Sequence, residues 1–135
     1  MTDGFETTAT VRYGDLDTYG HVNNAVYATL VEEARIDYFE TVLEVGAEVS
    51  GLEGSTGTVV ADLQLSFEAP LQRTGDVTVV VRVPELGDSS MQFTYEIRDG
   101  DTVVATGKTT LVVIDRESGE SKPIPTAWRE RIESD

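Results

Sequence analysis

The sequence predicts an α+β domain in which a five-stranded antiparallel sheet wraps around one long helix. Three observations lead there. Apolar residues alternate at period two from Phe5 to Tyr13, and again in four stretches after Gly57. Between these regions, Asn24 to about Val45 follows a helical period instead. The late stretches are joined by short turns, and hairpin turns make antiparallel pairs.

Each element follows in chain order. Phe5, Thr7, Ala9, Val11 and Tyr13 share one face of the first strand, with Glu6, Thr8, Thr10 and Arg12 on the other. Gly14 to Val22, rich in glycine and aspartate, reads as a loop. In the helix, Tyr27, Leu30, Val31, Ala34, Tyr38 and Val42 form the buried stripe, with Asn23 or Asn24 as N-cap and Gly46 as stop. Val59, Ala61, Leu63, Leu65 and Phe67 form the next strand's apolar face, and Val77 to Val83 follows after a short connection. Met91, Phe93, Tyr95 and Ile97 come next, beyond a Leu86-Gly87-Asp88-Ser89 turn. The last row, beyond Asp99-Gly100, is Val103, Ala105, Gly107, Thr109, Leu111 and Val113, with Val104, Val112 and Ile114 on its other face. Pro123-Ile124-Pro125 ends the sheet, and Ala127 to Glu133 suits a short terminal helix. One helix covers only part of one sheet face, so a homodimer or homotetramer is expected.

At 135 residues the size prior is one domain, 1–135. Apolar residues at 39% and charged residues at 26% fit a folded chain rather than a disordered one. Zero cysteines exclude disulfides, thiolate metal sites and a cysteine nucleophile. Ten basic against twenty-five acidic residues give −15, which disfavours any nucleic-acid partner. No membrane span and no secretion signal are expected, which points to the cytoplasm. Acidity spread along the chain, with Lys108 and Lys122 as the only lysines, resembles haloarchaeal proteins and suits work at high salt.

The chemistry concentrates in Val11 to Tyr27, where Asp15, Asp17, His21, Asn23 and Asn24 crowd a loop that ends at a helix start. His21 is the only histidine. A helix N-terminus offers unsatisfied N–H groups and a positive dipole end, which can polarise a carbonyl whose oxygen becomes anionic. A carboxylate nearby can attack that carbonyl or deprotonate water. These parts suit acyl transfer. The same residue types before a helix also serve as Asx-turns and caps, so both roles stay open. Asp15, Asp17 and His21 make a poor zinc set, and no metal or other cofactor is expected.

The run Gly14-Asp-Leu-Asp-Thr-Tyr-Gly-His-Val-Asn-Asn-Ala-Val-Tyr27, followed by Glu32-Glu33-Ala34-Arg35, resembles the signature of hot-dog-fold acyl-CoA thioesterases of the 4-hydroxybenzoyl-CoA thioesterase type. Phe67-Glu-Ala-Pro-Leu71 with Gly75-Asp76 resembles the same family's second pattern, and the likeness spans roughly residues 5 to 125. It is also similar to plant acyl-ACP thioesterases. The resemblance implies hydrolysis of an acyl-CoA thioester, with Asp17 as catalytic carboxylate and the backbone N–H near Asn24 as the carbonyl's partner. His21 matches a histidine of the plant enzymes, whereas Tyr19 stands where they carry asparagine. Tyr19, Asn23 and Tyr27 flank these positions and are expected to touch substrate. Another branch of the family places a glutamate near Glu32, but on a helical wheel Glu32 and Glu33 both point away from the apolar stripe. Pocket depth is expected to depend on Tyr38, Phe67 and Phe93, and phosphate contacts on Arg73, Arg116 and Lys122.

Two other readings compete. A hot-dog enoyl-CoA hydratase needs an aspartate five positions before its histidine, and here the separations to His21 are six from Asp15 and four from Asp17. A non-catalytic acyl-CoA-binding module would use the same groove without turnover.

Overall fold

The computed structural model describes residues 4–45 and 55–134, and the alternation that starts at Phe5 forms strand β1 (Phe5–Val11). Ala9 and Val11 are buried, while Glu6, Thr8 and Thr10 face water. Tyr13 departs from its expected inward place: it opens a 3-10 turn (Tyr13–Asp15) and is 85% exposed. The Asp15 carboxylate accepts the Arg12 N–H at 2.8 Å and holds that turn, which rotates Tyr13 off the sheet face.

Helix α1 (Asn24–Thr41) contains neither glycine nor proline and takes Asn23 as its N-cap. It ends at Thr41 rather than near Val45, where the Val42 N–H closes on the Tyr38 carbonyl at 2.8 Å. Gly46, the expected stop, lies outside the described residues. The stripe Tyr27, Leu30, Val31, Ala34 and Tyr38 is buried as expected, but Val42 is only half-buried. Arg35 and Phe39 complete the buried face.

Four strands follow: β2 (Thr56–Phe67), β3 (Gly75–Leu86), β4 (Ser90–Asp99) and β5 (Thr102–Asp115). The sheet order is β1-β3-β4-β5-β2, antiparallel throughout. Thus β3–β4 and β4–β5 are the expected hairpins, whereas β2 and β3 are not neighbours. The stretch 68–74 is a crossover from the β2 edge to the far side of the sheet, not a tight turn. The Glu68 and Ala69 N–H groups bond the Val104 carbonyl at 2.9 and 3.2 Å. Leu71 accepts the Val22 N–H at 2.8 Å, which pins the crossover beside the start of α1.

A second correction concerns β2. Its register with β5 slips between Val60 and Asp62, so Ala61 is an extra residue. A one-residue bulge flips the alternation. Val60, Leu63, Leu65 and Phe67 therefore pair with Leu111, Thr109, Gly107 and Ala105 on the helix side, and Val59 pairs with Val112 on the other. A similar slip between Ile97 and Arg98 turns both Val104 and Ala105 inward and leaves Val103 half-buried.

The sheet is covered by α1, of 18 residues, together with a nine-residue helix α2 (Thr126–Ser134), not by one long helix alone. Trp128 of α2 is buried and meets Phe39 edge-on at 5.5 Å, extending an aromatic core that includes Tyr38, Phe93 and Tyr95. The β2 edge is the thinly covered part: Val59, Val60, Leu63 and Phe67 are each more than two-fifths exposed.

Candidate active site

The loop between β1 and α1 folds back on itself through backbone bonds. Asp17 N–H donates to the His21 carbonyl at 2.7 Å, and Gly20 N–H to the Asp17 carbonyl at 3.0 Å. Gly20 sits at φ +78°, a left-handed conformation that glycine adopts without strain. The Asp17 carboxylate closes this turn: Oδ1 accepts the Tyr19 and His21 N–H groups at 2.9 and 3.1 Å. Asp17 is exposed and lines a cleft with Tyr13, Leu16 and Thr18.

The helix start is arranged differently. Asn23 Oδ1 takes the Ala25 N–H at 2.9 Å, and the Asn23 carbonyl takes the Val26 N–H at 2.9 Å. The Asn24 N–H, first of the helix, has no acceptor among the described residues. No acidic side chain occupies the first turn of α1 to quench its dipole. Asn24 lines a cavity of about 250 Å³, together with His21, Tyr27, Phe67, Glu68 and the crossover around Pro70. Tyr27 is buried against the edge of Phe67, with ring centroids 5.1 Å apart. Burial raises its phenol above the ordinary value of 10.0, so it stays a neutral hydroxyl at physiological pH.

Of the residues singled out from the sequence, the structure therefore brings His21, Asn24 and Tyr27 to one cavity. Asp17 belongs to the neighbouring cleft, and no hydrogen bond joins its carboxylate to the His21 ring. Asn23 spends its side-chain oxygen on the cap, and Tyr19 is 83% exposed. Phe67 lines the cavity, whereas Tyr38 and Phe93 lie in the core against each other at 5.5 Å. Arg73 is committed to Asp99 at 2.6 Å and to the Asp76 carbonyl at 2.8 Å. Glu33 is exposed, and Glu32, also exposed, stands at a second cavity further along α1. Among the described residues, no cluster of three or more His, Asp or Glu side chains is placed to hold a metal ion.

Sequence reasoning missed Glu68. It lines the cavity because the crossover carries it to the helix start, and although it stands in the Phe67-Glu-Ala-Pro-Leu71 motif, nothing local signals that placement.

A helix start with a free N–H, set against a cavity on a five-stranded antiparallel sheet, can polarise a carbonyl oxygen bound there. The model of the Thioesterase-like superfamily matches residues 11–132, and the chain belongs to that family. Its relatives include the long-chain acyl-CoA thioesterase FadM of Escherichia coli, 26% identical over 95% of this chain and 96% of FadM. YsmA, an uncharacterized protein of Bacillus subtilis, is 28% identical over 87% of this chain and 77% of its own. Among solved structures, a Thermus thermophilus thioesterase complexed with coenzyme A and Zn is 35% identical, with a TM-score of 0.79 and coverage of 98% and 96%. A Pseudomonas aeruginosa protein shares the fold at TM-score 0.87 and 23% identity, covering 96% of this chain and 90% of that one. Family and relatives together support the expected thioester hydrolase within a hot-dog architecture.

Proposed function

We propose that this chain hydrolyses acyl-CoA thioesters to free acid and coenzyme A. The observation that carries the reading is the Asn24 N–H, without an acceptor at the dipole's positive end and beside the cavity. The thioester carbonyl oxygen would accept that N–H and gain charge there in the transition state. Asp17 supplies the carboxylate. Its Oδ1 is held by two N–H groups, and Oδ2 either attacks the carbonyl carbon and expels the CoA thiolate, leaving an anhydride that water cleaves to free acid and the restored carboxylate, or removes a proton from a water that attacks the carbonyl and expels the thiolate. His21 and Tyr27 line the cavity at the reacting end; Tyr19 and Asn23, in the adjoining loop, complete the proposed substrate contacts. The relatives named for CoA support the substrate class.

The finer parts of the reading belong here too. The motif of residues 14–27 supports membership of the 4-hydroxybenzoyl-CoA thioesterase type, the −15 charge supports a halophilic, haloarchaeal source, and a sequence with zero cysteines suits a cytoplasmic setting. The exposed apolar residues and the single pairing partner of β2 support a homodimer closed across that edge, or a homotetramer of two such pairs. Among the described residues, no helix is long and apolar enough to cross a membrane.

The test is a panel of aromatic, short and long acyl-CoA thioesters in molar potassium chloride, with free thiol as the readout, run beside Asp17→Asn. Asparagine keeps the Oδ1 acceptor of the turn, so the variant should fold while losing at least about a hundredfold in kcat. Full activity in that variant removes Asp17 from the mechanism. Binding without thiol release by the parent would make the protein an acyl-CoA-binding module.

A further inference from the structure

Arg35 is the only buried charged side chain among the described residues, with 9% of its surface exposed. Its guanidinium donates to the Tyr95 hydroxyl at 3.2 Å, and that oxygen lies 2.7 Å from Thr109 Oγ1. Either hydroxyl of that pair can be the donor. Both partners are neutral. Burial raises the Tyr95 phenol, so it supplies no negative charge at neutral pH. No carboxylate among the described residues lies within 4.0 Å of Arg35. A guanidinium stays protonated at any working pH, and leaving it buried without a counter-charge is costly.

The charge does not face solid core. Arg35 lines a second cavity of about 250 Å³, walled by Val31 and Thr29 of α1 and by Val60 and Leu63 of β2. Glu32 stands at its rim, exposed and not ion-paired with Arg35. Both cavities lie between the same two elements: Asn24, Tyr27 and Phe67 line the first, Val31, Arg35 and Leu63 the second. Eleven helical positions separate Asn24 from Arg35, or about 16 Å along the axis. An acyl chain running from the first cavity to the second along α1 would bring its far end to the guanidinium.

We propose that Arg35 reads the far end of the acyl group, and that the groove selects acyl thioesters whose distal end carries a carboxylate. The fork of a guanidinium matches a carboxylate bidentately, and an anion there supplies the counter-charge that the described residues do not. A plain alkyl end offers the charge nothing. This inference rests on the thioesterase reading only for which end of the ligand lies at Asn24.

The experiment uses a length series of S-alkyl-CoA thioethers, which resist hydrolysis, each beside its ω-carboxylated counterpart, with affinities measured by calorimetry. The parent protein should bind the carboxylated member of the best-fitting length about ten- to a hundredfold more tightly. Arg35→Met should erase that ratio. Equal affinities in the parent overturn the proposal without recourse to any variant, and so does a preference that survives in a folded Arg35→Met. Turnover of plain acyl-CoA by the parent is scored separately. Its absence counts against thioester hydrolysis, while the thioether ratio still decides Arg35.

Discussion

Replacing Asn24 by proline isolates the one donor on which the mechanism depends. Proline lacks an N–H, and at the first helical position that group has no intrahelical partner to lose. Asn24 is that position. The residue before a proline must be extended, and Asn23 already sits at φ −61°, ψ 136°. The cap is untouched, because Asn23 Oδ1 bonds the Ala25 N–H and not that of Asn24. Folding should therefore be unchanged or slightly favoured, by about 0.4–1 kcal/mol through the stiffer unfolded chain. Catalysis should not survive so well. Losing one oxyanion donor costs roughly 2.7–4 kcal/mol in the barrier, or about a hundred- to a thousandfold in kcat. Asn24→Ala is the control, since it removes the side chain and keeps the N–H. Thermal melts by circular dichroism report the fold, and thiol release from acyl-CoA reports the rate. If Asn24→Pro melts like the parent and turns over like Asn24→Ala, the N–H does not bind the developing oxyanion and the mechanism is refuted.

Three further outcomes follow from packing and charge. Trp128→Ala empties a site where α2 meets Phe39, and should cost about 3–5 kcal/mol by denaturant titration; a loss below about 1 kcal/mol would mean α2 merely rests on the core. Tyr95 holds its phenolic proton more tightly folded than unfolded, where the ordinary value is 10.0, so stability should persist below about pH 10 and fall as pH rises beyond it. Tyr95→Phe should flatten that alkaline limb while lowering neutral stability by about 1–3 kcal/mol, because Arg35 and Thr109 lose their partner; an unchanged alkaline slope would clear Tyr95. With a net charge of −15, the melting temperature should climb with potassium chloride as the screening length shrinks from about 10 Å at 0.1 M to about 3 Å at 1 M, and a salt-independent melt would dismiss self-repulsion as a burden on this fold.

Much of the architecture was legible because local chemistry wrote it. β4 alternates without a fault, and both glycine-bearing hairpin turns fall where the sequence puts them. Asn23 caps α1 through the short-range bond its residue type favours. The failures share one cause, long-range pairing. Nothing near Pro70 says that the chain is crossing the sheet, since the partners that fix it are Val104 and Val22. Nothing near Ala61 marks a bulge, which comes from the register β5 imposes. Tyr13 turns outward, and a pattern of period two does not announce its last member.

The site divides along the same line. Asp17, His21 and Asn24 were readable as a cluster in sequence, yet their backbone roles separate them: Asp17 closes a turn, while His21 and Asn24 border the cavity. The Asx-turn and the catalytic reading of Asp17 are not rivals in this geometry. A turn that fixes one carboxylate oxygen with two N–H donors removes rotamer freedom from the other, and a positioned carboxylate is what acyl transfer requires. Glu68 and Arg35 stand in the sequence motifs without a role that could be read from them, because the cavities they line are completed by segments that tertiary folding brings up. Both lie on the groove between α1 and β2, the thinnest wall of the molecule and the one whose exposed apolar residues a second copy would cover. On these two proposals, substrate selection and subunit association draw on the same surface. A substitution such as Leu63→Glu, on the exposed wall of that groove, should disturb both together, with a lower oligomeric state by sedimentation and weaker acyl-CoA binding; loss of one without the other would separate the groove from the interface.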